Sequence, residues 1–472
     1  MTQSSGRPRV VAIVGGGYSG VAVAFHLLRD APAGLEIVLV EPAAELGRGL
    51  AYATTSDSHR LNVPAGRLGL DPAHEAGFIA WLQAQQLPYV ASNFVSRRWL
   101  GADAASVLAR VATAAADAGV VFRHVRASVT ALARHRAPFP LQLSDGATLL
   151  ADHVILATGH LPPALPPGAQ PVGWSDAGMV ADPWRGDAFA GLLPTQDVLL
   201  VGSGLTAVDI VLQLRDSGHP GRIHLLSRRG MLPQPHRANE TRPPVGLSNV
   251  ELGDELRLRH IVSALRAWLS RTEAAGGNWR DGMGSLRAAT PRLWQRLSVR
   301  DRRQFLRHLQ PFWDTHRHRF SAGIHARLQA LLADGHVQVH AGRLSGVARR
   351  EDGQLQVRWR VRGGAGEASV AVARVVNCTG PTADMARARD PLHASLREAG
   401  ILSADPLGQG LLVDPSLQLI DASGIAVEGL YYVGPMLKAQ RWEAVAIPEL
   451  RVHARDVARR ILELERGRDA AS

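Results

Sequence analysis

GGGYSGVAVAFHLLRDAPAGLEIVLVE, residues 15–41, decides the fold of this chain. The apolar run Val10 to Val14 just before it reads as a buried strand, and the residues from Tyr18 onward carry helical spacing. A second apolar strand, IVLVE, closes the unit at 37–41. Gly15, Gly17 and Gly20 stand in the pattern G-x-G-x-x-G at the strand-to-helix turn. In such a unit the first glycine permits the tight turn. The second lets a pyrophosphate approach the backbone, and the third packs helix against strand. Tyr18 and Ser19 open the helix, where free N–H groups favour an anion. Glu41 ends the second strand, placed to accept hydrogen bonds from ribose hydroxyls.

GSGLTAVDIVLQLRDSGHPGRIHLLSR, residues 202–228, aligns with the first stretch without a gap. Gly202, Ser203, Gly204 and Ala207 repeat the turn, with alanine in the third place, which the fingerprint allows. The matched final positions are Glu41 in one unit and Arg228, followed by Arg229, in the other. A guanidinium cannot accept from ribose hydroxyls; it pairs with a 2′-phosphate or stacks on adenine. Two different dinucleotides in one chain point to a redox enzyme. FAD suits the first unit. The second suits NADPH ahead of NADH, with a solvated basic turn as the bland alternative.

The totals agree. With 472 residues, 46% of them hydrophobic and 20% charged, the chain is long enough for about three globular domains. The polar start, Met1 to Arg9, and the early glycines do not resemble a signal peptide, and no apolar run approaches a membrane span. A cytoplasmic protein is the expectation. The single cysteine, Cys378, excludes internal disulfides and the dithiol relay of flavin disulfide reductases. The net charge of +11 comes almost wholly from scattered arginine, Lys438 being the only lysine. That pattern reads as composition bias, so nucleic acid is not expected as a partner.

The order of elements implies a nested layout. Residues 1–170 read as the first part of an FAD-binding domain, including a turn-rich meander over 120–157 whose central strand ends at Ala157-Thr158-Gly159. After a Pro-rich connector (161–171), residues 190–249 read as the NAD(P)-binding unit. Residues 250–335 lack strand alternation and read as a helical insertion behind a turn-rich stretch, 232–244. Residues 336–472 read as a second meander and a return to the first domain, and Cys378-Thr379-Gly380 repeats the earlier strand end. The predicted class is α/β: a Rossmann-like FAD domain with an inserted NAD(P) domain and a helical insertion.

Little else looks catalytic. No G-x-S-x-G, H-E-x-x-H or P-loop pattern occurs. His316 and His318, two residues apart on a predicted helix, do not share a face, so no metal is expected. A flavoenzyme fits this absence, because the cofactor carries the hard chemistry.

GRGLAYAT (47–54) with LNVPA (61–65), FLRHLQPFWDTHRHR (305–319) and GPMLKAQRWEAVAIPELRV (434–452) resemble a bacterial FAD/NAD(P)-binding family that includes one type of FAD-dependent urate hydroxylase. The resemblance runs nearly end to end. It implies an NAD(P)H-consuming monooxygenase that converts urate to 5-hydroxyisourate with O2 by way of a C4a-hydroperoxyflavin. It places Gly15, Gly17, Gly20 and Glu41 on FAD, and Gly202, Gly204 and Ala207 on the nicotinamide cofactor. It puts Tyr52, Asn62, Gly434 and the Trp442-Glu443 pair near the flavin; Gly159 is a cofactor-binding candidate from its place at the Ala157-Thr158-Gly159 strand end of the first unit. Arg441, Trp442 and Glu443 are the candidate catalytic residues; Arg441 and Lys438 either supply charge for a flat anionic substrate or sit on a solvent-facing loop.

The chain departs from common flavoprotein patterns in two places. Pro435 stands where an aspartate usually follows the glycine, and Thr195 stands where the F-x-G-x-x-x-H pattern begun by Phe189 and Gly191 needs histidine. The second departure argues against Baeyer–Villiger chemistry. The alternatives to urate hydroxylation are an N-hydroxylating or amine-oxidising flavoenzyme, and a non-catalytic flavin-binding redox sensor. A homo-oligomer is compatible with either.

Overall fold

The computed structural model describes residues 8–170, 172–237 and 256–469. The expected turn-rich stretch at 232–244 and the end of the 190–249 unit therefore lie partly outside the described residues.

Two mainly parallel sheets organise the chain. The first has six strands, ordered Gln418–Ile420, Ala426–Tyr432, His153–Leu156, Arg9–Val14, Leu35–Val40 and Val121–Val125. All are parallel except Gln418–Ile420, which is antiparallel at one edge. The central strands are continuously apolar because helices cover both faces of such a sheet. Helix Tyr18–Asp30 packs against Arg97–Asp117 and the C-terminal helix Ile447–Asp469. That last helix is fastened to the sheet by buried Glu465, which bonds His153 Nε2 at 3.0 Å and pairs with Arg9 at 2.9 Å.

One expectation changes here. Residues 121–125 are not part of the meander: they form the outer parallel strand beside Leu35–Val40. An edge strand and a hairpin strand share the same alternation, so the pattern could not separate them. The meander itself is the small antiparallel sheet of Val129–Ala131, Phe139–Leu143 and Thr148–Ala151.

The second sheet has seven strands, ordered Glu367–Val372, Leu355–Val361, Val337–Arg349, Ile223–Ser227, Val198–Val201, Arg374–Asn377 and Met179–Val180. Val337–Arg349 belongs to two layers. Its first half runs parallel to Ile223–Ser227, and its second half pairs antiparallel with Leu355–Val361 past an irregularity at Leu344/Gly346. The Pro-rich connector contributes only Leu161–Pro163, a short ribbon partner of Pro381–Thr382.

Five helices, Leu258–Ala274, Trp279–Arg296, Val299–Gln304, Gln310–Arg317 and Ala322–Ala333, fill most of the stretch between Leu258 and Ala333. They are pinned to the segment that follows Gly434. The Trp294 indole N–H donates to Ala439 O at 2.8 Å, and its ring lies 4.3 Å from that of Trp442. Arg317 pairs with Glu443 at 2.8 Å, and Arg287 with Glu449 at 2.5 Å. Among the described residues no helix is long and apolar enough to cross a membrane.

Candidate functional site

The two glycine turns are built alike down to single hydrogen bonds. Gly15 N–H donates to Val40 O and Ala157 N–H to Val14 O; in the second unit Gly202 N–H donates to Leu226 O and Cys378 N–H to Val201 O. Gly15 has φ +105° and Gly202 φ +124°, and a Cβ at either would collide with the carbonyl oxygen of Ala157 or Cys378. Only glycine fits both the dihedral and the space. Gly17 and Gly204 are different: a Cβ at Gly17 would meet only ordinary contact, and at Gly204 nothing within 4 Å. These two face the open side, where a phosphate backbone would lie.

Both following helices start on glycine with no side-chain cap. Elsewhere Asn278, Ser298, Ser321 and Asp390 cap helices with their own oxygens. Uncapped N-terminal N–H groups beside an open glycine form an anion cradle. Both turns present donors and space that fit a pyrophosphate.

The charged ends are held differently. Glu41 accepts from Gly16 N at 2.8 Å and Ala43 N at 3.0 Å, which fixes its carboxylate at the strand end. In the second unit Ser203 Oγ lies 2.6 Å from Met231 O and 2.8 Å from Ser227 Oγ, stitching the turn shut. Arg228 is exposed and has no hydrogen bond or ion pair among the described residues. Arg229 lies 4.8 Å over the Phe312 ring, tying the second unit to the helical insertion.

Because the strands of the first sheet are parallel, their carboxyl ends share one edge. Along it come Gly434 after Ala426–Tyr432, Gly159 after His153–Leu156, Gly15 to Gly17, and Glu41. Past Gly434 and Gly159 the chain brings Lys438 close enough to His160 and His318 to act on both. Lys438 and His318 are enclosed by protein yet keep solvent contact, and His160 does so even more openly, as groups on the wall of a recess do. Burial pushes the His160 ring down to about 4, helped by Lys438, and the His318 ring to about 3, helped by Arg317 and Lys438. Both shifts favour the neutral imidazole. Burial also raises Asp314, which stands 3.6 Å from His318.

The structure sorts the residues expected near the flavin. Tyr52 packs edge-on to Tyr18, 6.0 Å between ring centres, and burial pushes its phenol up to about 12. Asn62 offers its backbone carbonyl to the His236 ring at 3.0 Å, joining the first domain to the chain leading into the helices. Trp442 is 4% exposed and sits in an aromatic cluster with Trp294 and Phe305. Glu443 is 3% exposed and bound to Arg317. Arg441 bonds Pro415 O at 3.3 Å and faces Asp456 and Asp414, whereas Lys438 faces Asp314 and Glu443. The two cations beside Trp442 thus serve different surroundings.

Sequence reasoning passed over His160 and Asp314 as site residues, although His160 directly follows the Thr158-Gly159 strand end. His316, in helix Gln310–Arg317, packs edge-on to Trp279, and His318 lies past the helix end. Among the described residues no group of three metal-ligating side chains forms.

Three comparisons bear on this geometry. Residues 12–161 match a family model described as FAD-NAD(P)-binding. No curated protein matches the sequence. Solved structures match along the whole chain at low identity. The ornithine N-hydroxylase of Kutzneria sp. 744, solved with reduced FAD, NADP+ and L-ornithine, is 16% identical, with 98% of this chain and 100% of that one covered at a TM-score of 0.64. The L-lysine 6-monooxygenase of Pseudomonas syringae is 16% identical, covering 97% and 99% at 0.62. The FAD-bound cadaverine monooxygenase of Erwinia amylovora is 13% identical, covering 96% and 94% at 0.61. The fold is therefore the mixed α/β, two-domain fold of an FAD/NAD(P)-binding flavoprotein.

Proposed function

We propose that this protein is an FAD-dependent, NAD(P)H-consuming monooxygenase that hydroxylates the nitrogen of a small amine. The observation that carries the reading is the pair of uncapped glycine turns in a fold that superposes end to end on N-hydroxylating monooxygenases. The balance is one amine, one O2, one NAD(P)H and one proton giving a hydroxylamine, NAD(P)+ and water.

FAD would lie along the carboxyl edge of the first sheet. Glu41 would hold the adenosine ribose, the Gly15–Gly17 turn the pyrophosphate, and Gly159 and Gly434 would border the ring end. Bound there, it supplies electron storage and oxygen activation, with the nicotinamide cofactor as electron donor. The second turn would hold that donor's pyrophosphate, and Arg228 its 2′-phosphate. Trp442, Trp294 and Phe305 form an apolar cluster beside Lys438, and the Arg317–Glu443 pair ties the helical insertion to the segment after Gly434; together they would keep water from the ring end.

A dithiol route has no residues to run on. Cys378 is buried, and burial drives its thiol far from ionisation. Urate, implied by the sequence resemblance, draws no support from the solved structures and becomes a test arm. Purified protein reconstituted with FAD is given NADPH or NADH with a panel of primary amines and with urate. Amine-dependent NAD(P)H oxidation with hydroxylamine formation is the expected result. Oxidation stimulated by urate alone, or bound flavin that neither nicotinamide reduces, would overturn it.

A further inference from the structure

Lys438 is the only lysine in a chain whose other cations are all arginine. An arginine-biased composition leaves lysine where an arginine does not serve. A compact ammonium with three rotatable donors fits a narrow recess that a planar guanidinium does not. The position supports this reading. Lys438 lies in the short turn of helix Pro435–Ala439 that follows Gly434, at the carboxyl edge of the first sheet. Its Nζ sits 4.3 Å over the Trp442 ring and makes no hydrogen bond or ion pair within 4.0 Å among the described residues.

Two acids, Asp314 and Glu443, act on it electrostatically, and neither stands within ion-pair distance. Glu443 is committed to Arg317 at 2.8 and 3.2 Å, and Asp314 stands beside His318. His160 and His318 both feel its charge, which favours their neutral rings. Burial pushes the Lys438 ammonium below its ordinary range, which records a charge taken from water without full compensation. A buried charge of this kind is stabilised when a counter-ion arrives.

We propose that Lys438 receives an anionic group of the substrate, a carboxylate in the first instance, at the ring end of the flavin site. The inference rests on the monooxygenase reading for the word substrate, and on Lys438 alone for the anion. It divides amine substrates into two classes, those that carry an acid and those that do not. The superposing enzymes include both, an ornithine and a lysine hydroxylase on one side and a cadaverine monooxygenase on the other. Lys438 places this protein with the acid-bearing class.

The composition offers an unusual test, since amine-selective acylation of the FAD-loaded protein reads one side chain besides the N-terminus. Peptide mass spectrometry follows the labelling rate of Lys438 at pH 7 with hexanoate, with the isosteric neutral hexanamide, and with urate. The expected result is several-fold protection by hexanoate and none by hexanamide. Protection by urate as well would extend the site to flat anions. Equal protection by hexanoate and hexanamide, or none by either anion, would overturn the proposal.

A second measurement compares L-lysine with cadaverine, which differ by the carboxylate. Wild type should favour L-lysine in kcat/KM by roughly tenfold or more, the scale of a charge-assisted hydrogen bond, and Lys438→Gln should level the two. An equal preference in wild type and variant counts against the proposal. Should neither amine be oxidised, the wider amine panel decides the monooxygenase reading, and the labelling result still decides the anion site.

Discussion

The two dinucleotide units have the same backbone and opposite surroundings. In the first, every device looks inward: Glu41 is clamped by Gly16 and Ala43 N–H groups, and helix Tyr18–Asp30 is covered by Arg97–Asp117 and the C-terminal helix. In the second, the devices look outward. Arg228 is exposed, and the helix Leu205–Asp216 carries the joint between domains. Asp209 pairs with Arg97 at 2.7 Å, and Asp216 is bound by Arg327 and Ser58. The first unit has Ala22 and Arg29 at the aligned positions, Ala22 fully buried. One unit is a fixed cradle and the other is a cradle that also meets its neighbour. A tightly held cofactor and an exchanging one call for that difference.

The largest effect should come from the turns. Gly15→Ala forces a Cβ into Ala157 O at φ +105°, and should cost about 3 kcal/mol or more and yield colourless protein. Gly202→Ala meets the same collision at Cys378 O, and should lose hydride transfer while keeping flavin colour. Equal loss of flavin in both would erase the division of labour. Unfolding midpoints and bound-flavin absorbance measure it.

Next in size, Glu41→Ala should weaken FAD binding roughly ten- to a hundredfold, read by titrating apoprotein, since it removes a charge-assisted acceptor. Arg228→Glu should raise the KM for NADPH about tenfold and leave NADH nearly unchanged. An equal rise for both would show that Arg228 does not read the 2′-phosphate.

The smallest effect concerns the joint. Burial raises Asp209 to about 6 in spite of Arg97, above its unfolded value of 3.8. The folded state therefore holds its proton longer, and this group's contribution to stability falls as pH rises from about 4 to about 6. Arg97 already contributes to that value, so the change should be on the order of 1 kcal/mol for each pH unit between the two values. Urea midpoints across that window should flatten in Asp209→Asn. Glu465 gives the opposite sign at the fixed cradle. His153 and Arg9 hold it at about 2, so its stabilisation is complete above about 4.5 and is lost as pH falls towards 2.

Much of this was legible in the residues. The glycine spacings, the gap-free match of 15–41 with 202–228 and the repeated Thr-Gly strand ends all describe local geometry, and the structure reproduces them bond for bond. Val121–Val125 was harder, because an alternating strand carries no mark of which neighbour it will pair with. Arg441 and Lys438 were also inseparable on paper. Three residues apart on a turn-rich segment, they were both candidates for one pocket until Pro415, Asp414 and Asp456 gathered around one of them.

By itself the chain's order of residues determined where each dinucleotide turn forms and which end carries acid or base, because strand, turn and helix lie within thirty positions of one another. Only the tertiary structure decided which groups meet past Gly434. His160, His318 and Lys438 come from three distant segments, and their charge states follow from burial and partners that no single segment contains. Desolvation is a property of the enclosure, and the enclosure exists only once both sheets and the helical insertion have closed around it.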